Sequence, residues 1–125
     1  MNSKIVIAED DKLLSSSLDQ AVRASGYDTF VAYDGEEALT KIKSEKPDLV
    51  LLDVAMPKMD GLSVLWEMKA DPELASIPAI VLTNMGDMDT VSKIMSAGGT
   101  DYLLKSDQSL DAIVEKIREV LARRP

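Results

Sequence analysis

Five residues of this chain carry groups that could do chemistry together: Glu9, Asp10, Asp53, Thr83 and Lys105. Each follows a short apolar run. Ile5-Val6-Ile7-Ala8 ends in the acids Glu9, Asp10 and Asp11; Leu49-Val50-Leu51-Leu52 ends on Asp53; Pro78-Ala79-Ile80-Val81-Leu82 ends on Thr83; Asp101-Tyr102-Leu103-Leu104 ends on Lys105. Short apolar runs bounded by turn formers read as strands buried inside a parallel sheet. If the strands are parallel, all five groups reach one sheet edge, the carboxyl edge where open α/β sheets bind ligands. Each residue also has an ordinary reading: Asp53 as a turn former ending a strand, Thr83 and the acids as common turn residues, Lys105 as a solvated loop charge. Their joint placement at four strand ends favours the chemical reading.

That chemistry follows from charge. Three gathered carboxylates repel, and one must hold its proton more tightly unless a cation intervenes. The chain has no histidine and no cysteine, which removes imidazole, thiolate and the usual structural zinc ligands. A hard, oxygen-ligated ion such as magnesium is then the natural cation, and magnesium often completes its shell with phosphate oxygens. A carboxylate can attack phosphorus to give an acyl phosphate, and Lys105 and Thr83 can supply the cation and donor that the moving oxygens need. The set is suited to placing a phosphoryl group on Asp53.

The elements that must position these groups alternate along the chain. After the first strand, Leu14, Leu18, Ala21 and Val22 recur at helical spacing, with Asp11 as N-cap in preference to a metal ligand and Gly26 closing the helix. Thr29 to Ala32 is the second strand. Asp34-Gly35-Glu36-Glu37 reads as a capping box opening a helix that runs to about Lys46, and Pro47 separates it from the central strand. Pro57 and Asp60-Gly61 mark a turn before a third helix bearing Leu62, Leu65, Trp66 and Met68, which ends at Asp71-Pro72. Asp87 can cap a fourth helix with Val91, Ile94 and Met95, stopped by Gly98-Gly99. The last helix carries Leu110, Ile113, Val114, Ile117 and Leu121. Met95 and the other methionines are read as core filler in preference to a partner-binding stripe. Strand and helix alternate five times, which predicts a parallel sheet covered by helices on both faces with right-handed crossovers.

The totals agree with one domain over residues 1–125. Apolar residues make up 46% and charged residues 29%, a globular composition with enough chain for a core. The net charge of -8 argues against a nucleic-acid surface on this domain. Neither a signal peptide nor a membrane span is read in the sequence, so the expected compartment is the cytoplasm.

Taken in order, the pair Glu9-Asp10, the run from Asp53-Val54-Ala55-Met56-Pro57 through Lys58-Met59-Asp60-Gly61, then Thr83, then Asp101 to Lys105, resemble the receiver domain of bacterial two-component response regulators, in the CheY-like group. The resemblance covers the whole chain. It implies a flavodoxin-like (βα)5 fold, α/β and doubly wound, with five parallel strands in the order 2-1-3-4-5. It implies Asp53 as phosphoacceptor, and magnesium held by Asp10, Asp53 and the backbone carbonyl of Ala55, with Glu9 acting directly or through water. Thr83 would bind the phosphoryl group and move toward it, Lys105 would pair with it, and Tyr102 would be the aromatic switch of an α4-β5-α5 signalling surface. The implied partners are a histidine kinase or phosphotransfer protein as donor and a downstream effector or output domain, and a phosphorylation-dependent dimer is compatible with the resemblance. The domain would assist its own phosphorylation and dephosphorylation without being a turnover enzyme.

Two positions depart from the family pattern. Ser106 follows the lysine where proline is usual, and Asn84 follows Thr83 where a small residue is usual. The Lys105-Ser106 peptide is expected to be trans, since a cis bond without proline costs about 2.5–4 kcal/mol. Other function classes fit less well. An aspartate-based phosphohydrolase would want a second acid two residues after the nucleophile, where Ala55 stands. A flavin-binding module would want a Ser/Thr/Gly loop after the first strand, where Glu9-Asp10-Asp11 stands. A pseudo-receiver acting only as a phosphorylation-independent interaction module would have lost one of the key groups, and all are present.

Overall fold

The computed structural model describes residues 2–84, 88–105 and 109–123. Its strands are β1 (Lys4–Ala8), β2 (Asp28–Ala32), β3 (Leu49–Asp53), β4 (Ala79–Thr83) and β5 (Asp101–Leu104). They alternate with α1 (Lys12–Ala24), α2 (Gly35–Glu45), α3 (Gly61–Ala70), α4 (Met88–Ser96) and α5 (Leu110–Ala122). The strands form one sheet in the order β2-β1-β3-β4-β5, and every pairing is parallel. This is the flavodoxin-like, doubly wound order.

Two cores follow from the two-residue period of a strand. Val6, Ala8, Val50, Leu52, Ala79 and Val81 face one side, against Ala38 and Ile42 of α2, Val64, Leu65 and Met68 of α3, and Ile94 of α4. Ile5, Ile7, Leu49, Leu51, Ile80 and Leu82 face the other, against Leu18 and Val22 of α1 and Ile113, Val114 and Ile117 of α5. β3 and β4 are buried along their whole length, which is why they carry unbroken apolar runs.

The helix starts use the caps that the sequence offers. Asp11 accepts from the N–H groups of Leu13 and Leu14, and Asp34 accepts from Glu37 N–H at 2.8 Å. Asp60 and Ser109 cap α3 and α5. At the end of α1, Ser25 is the cap residue and Gly26, at φ 96°, supplies the left-handed turn after it. The Asp87 cap expected for α4 lies outside the described residues.

Three apolar positions fall differently from the helical reading. Trp66 is 64% exposed and Met95 48% exposed, so neither is core filler, and Met88 is more exposed still. Among the described methionines only Met68 is fully buried, while Met56 and Met59 are partly buried against the first core. The space is filled instead by Leu74 and Ile77, in the turn between α3 and β4, both buried.

Candidate functional site

Strand alternation decides which groups meet. Glu9, Asp53 and Lys105 continue the alternation of Ile7, Leu51 and Leu103, whose side chains face α1 and α5. Thr83 continues the alternation of Val81, on the opposite side of the sheet. The order β1-β3-β4-β5 then sets Glu9 beside Asp53, with Lys105 reaching across the end of β4. Backbone bonds pin these ends: Glu9 N–H donates to Ala32 O at 3.0 Å, and Lys105 N–H to Thr83 O at 2.8 Å.

Glu9 and Asp53 are both buried, at 0% and 2% exposure, whereas Asp10 is exposed. Lys105 Nζ lies 2.7 Å from Glu9 Oε1 and 3.1 Å from Asp53 Oδ2. These are ion-pair distances, yet neither oxygen has a hydrogen bond of ordinary alignment among the described residues. The ammonium therefore offsets part of their charge. The second oxygens are used: Asp11 N–H donates to Glu9 Oε2 at 3.1 Å and Ala55 N–H to Asp53 Oδ1 at 3.3 Å.

One cation beside two buried carboxylates leaves an excess of negative charge. Burial, and then the charge of Glu9, push the Asp53 carboxyl up from 3.8 to about 7, with Lys105 pulling the other way. Burial alone would lower Lys105, but its close contacts with Glu9 and Asp53 outweigh this and raise it above 10.5.

Magnesium fits this donor set. One carboxylate oxygen from each of Glu9, Asp10 and Asp53 lies within 4.8 Å of the others, and two buried oxygens lack aligned donors among the described residues. All the donors are hard oxygens, and magnesium retains waters that can complete its shell. Beside the carboxylates is a cavity of about 180 Å3 lined by Asp53, Val54, Ala55, Thr83 and Asn84.

The comparisons with known proteins point the same way. The family model described as response regulator receiver domain matches residues 5–118. The chain belongs to this family. The receiver domain is 34% identical over 123 residues to DNA-binding response regulator MtrA of Mycolicibacterium paratuberculosis, covering 98% of this chain and 53% of that protein. It is 31% identical over 114 residues to the gliding motility regulatory protein of Myxococcus xanthus, covering 91% of this chain and 15% of that protein. The chain thus spans about half the length of the first relative and far less of the second. Among solved structures, the receiver domain of a Francisella response regulator superposes with a TM-score of 0.90 at 30% identity, covering 98% of both chains. A CheY-like receiver domain protein of Methanospirillum hungatei gives 0.88 at 28% identity, covering 98% of this chain and 95% of that one. Receiver domains are signalling domains, not catalytic ones, and this one shares their flavodoxin-like fold.

Of the expected site residues, the receiver domain brings together Glu9, Asp10, Asp53 and Lys105, and Ala55 and Thr83 line the cavity with Asp53. Tyr102 stands apart on β5, half-buried against the first core. Asn84 is exposed and lines the same cavity. The Lys105-Ser106 peptide lies outside the described residues. The sequence reading did not single out Gly35, which abuts Met59 in the loop after Asp53, or Lys58 within that loop. A lysine between Pro57 and Met59 gives no sign of its φ of 67°. No helix among the described residues is long and apolar enough to cross a membrane.

Proposed function

We propose that this receiver domain is the phosphoacceptor module of a two-component phosphorelay, accepting a phosphoryl group on Asp53. The observation that carries the reading is the placement of Asp53: buried, ion-paired with Lys105, and at the wall of a cavity that also presents Thr83. A carboxylate oxygen of Asp53 attacks the phosphorus of the donor, a P–O bond forms, and the bond to the donor's leaving group breaks with its electron pair. Lys105 is placed to pair with the transferred oxygens and Thr83 to donate to them. Ala55 N–H already orients Asp53 through Oδ1.

Glu9, Asp10 and Asp53, with the backbone carbonyl of Ala55, are the residues that would hold magnesium. When bound, the ion offsets the negative charge shared by the carboxylate and the phosphoryl oxygens. Burial and the charge of Glu9 raise the Asp53 carboxyl to about 7, so the fraction present as the nucleophilic carboxylate grows as pH rises through neutrality.

In this reading residues 1–125 form one receiver domain in the cytoplasm, the donor is a histidine kinase or phosphotransfer protein, and the recipient of the signal is an effector or output domain. The -8 charge supports a reading in which any contact with DNA is made by another part of the assembly. Phosphorylation-dependent dimerisation is compatible with it.

Incubation with acetyl phosphate and magnesium, followed by intact mass, tests the reading. One phosphoryl mass gain is expected, lost in Asp53→Asn and without magnesium. Equal labelling of Asp53→Asn would overturn it.

A further inference from the structure

The loop that follows Asp53 is held from a neighbouring turn. Gly35, the first residue of α2, abuts it so closely that a Cβ there would lie 1.8 Å from the carbonyl oxygen of Met59 and 2.5 Å from its carbon. The φ of Gly35 is not in the left-handed region, so glycine is required here for space and not for conformation. Its N–H donates to Pro57 O at 3.5 Å. One residue earlier, Asp34 uses one carboxylate oxygen to cap α2 and places the other 3.7 Å from Lys58 Nζ.

The gripped segment is itself strained. Met59 N–H donates to Pro57 O at 2.7 Å, closing a γ-turn on Lys58 with φ 67°. A left-handed φ on a residue with a Cβ persists where its surroundings over-determine it, and the Asp34-Gly35 turn supplies those surroundings. The far end of the loop is fixed separately: Gly61 N–H donates to Val54 O at 2.8 Å, and a Cβ on Gly61 would meet Asp53 O at 2.3 Å. Ala55 lies on the span between these two anchors.

We propose that the Asp34-Gly35 turn is a positioning element for phosphoryl transfer: by docking onto Pro57-Lys58-Met59 it fixes Ala55 relative to Asp53. The proposal rests on the reading of Asp53 as phosphoacceptor. A side chain at position 35 forces the Met59 carbonyl from 1.8 Å to at least 3.0 Å from the new Cβ. That displacement is carried along the strained loop toward Ala55, and misplacement of about 1 Å at a reacting site can cost on the order of 100-fold in rate.

The test uses the whole chain and two readouts. In a magnesium titration of the wild type followed by amide NMR, the Gly35 amide shifts with the same half-saturation as the Ala55 amide. Gly35→Ala raises the magnesium concentration for half-saturation and slows phosphoryl uptake from acetyl phosphate by roughly 10- to 100-fold. Adding Lys58→Gly, which lets the γ-turn yield locally, recovers part of the loss. A Gly35 amide that stays still while Ala55 moves overturns the proposal, and this readout decides alone if Gly35→Ala does not fold. So does a folded Gly35→Ala with wild-type uptake, or a double variant with no recovery. A wild type that takes up no phosphoryl group overturns the phosphoacceptor reading itself.

Discussion

Thr83 and Tyr102 share one face of the sheet as diagonal neighbours: Tyr102 pairs in register with Val81, two residues before Thr83 on β4, and packs against the same core. Thr83 also lines the cavity beside Asp53, so a shift of its side chain toward a phosphoryl group vacates space on Tyr102's side. Moving a two-state equilibrium from 1:99 to 99:1 requires about 5.5 kcal/mol. Two or three charge-assisted hydrogen bonds, each roughly 1.5–3 kcal/mol, supply most of that. Amide NMR with and without beryllofluoride should therefore show shifts in α4 and at Tyr102. Shifts confined to the loops of Asp10, Asp53 and Lys105 would mean that the signal does not leave through this face.

Asp53 gives a pH signature with a definite sign. Its carboxyl is raised from 3.8 to about 7, so the folded chain binds a proton that the unfolded chain has released. The stability this contributes is complete below about pH 4 and is lost as pH rises through 7. Asp53→Asn removes the cost, and its Tm at pH 8 without magnesium should exceed wild type by several degrees, on the order of 1 kcal/mol or more. For the same reason wild-type magnesium affinity should rise from pH 6 to pH 8, with proton release. An Asp53→Asn variant less stable than wild type at pH 8 would contradict the electrostatic description.

Much of this was legible in the sequence because the informative residues obey simple periods. The strands of a sheet buried on both faces must be apolar runs, and β3 and β4 fall where such runs end on Asp53 and Thr83, whereas β5, at the sheet edge, is only partly buried. What was not legible depends on neighbours. Trp66 sits four residues after Leu62 and reads as part of a helical stripe, but Val64, Leu65 and Met68 already fill the core side of α3. The exposure of Met95 follows from Ile94 taking the inward position on α4. Gly35 was read only as part of a capping box, because its demand for space comes from Met59, distant in sequence.

Lys105 is the sole described cation within ion-pair distance of Asp53 and Glu9. Lys105→Ala leaves two buried carboxylates facing each other. The expected loss at pH 8 is roughly 3 kcal/mol, as for breaking a buried pair, and less at pH 5, where one carboxyl takes up a proton. The same variant should bind magnesium more tightly, because a competing cation is gone. Urea melts at both pH values and a magnesium titration check this; equal losses at pH 5 and pH 8 would exclude charge as the cause.

Asn84 is exposed and lines the cavity with Asp53 and Thr83, so its side chain is expected to hinder a water attacking the acyl phosphate. Asn84→Ala should speed dephosphorylation by about two- to tenfold, or roughly 0.4–1.4 kcal/mol of barrier. An unchanged decay rate would place the side chain outside the path of water.

On the proposed mechanism Asp53, and no other acid of the cluster, carries the phosphoryl group. Borohydride reduction of the acetyl-phosphate-treated protein converts an acyl-phosphorylated aspartate to homoserine, and peptide sequencing by mass spectrometry then locates it. The expected result is homoserine at position 53 alone, dependent on magnesium. Homoserine at position 10, or an unmodified position 53 in a protein that has gained phosphoryl mass, would contradict the assignment.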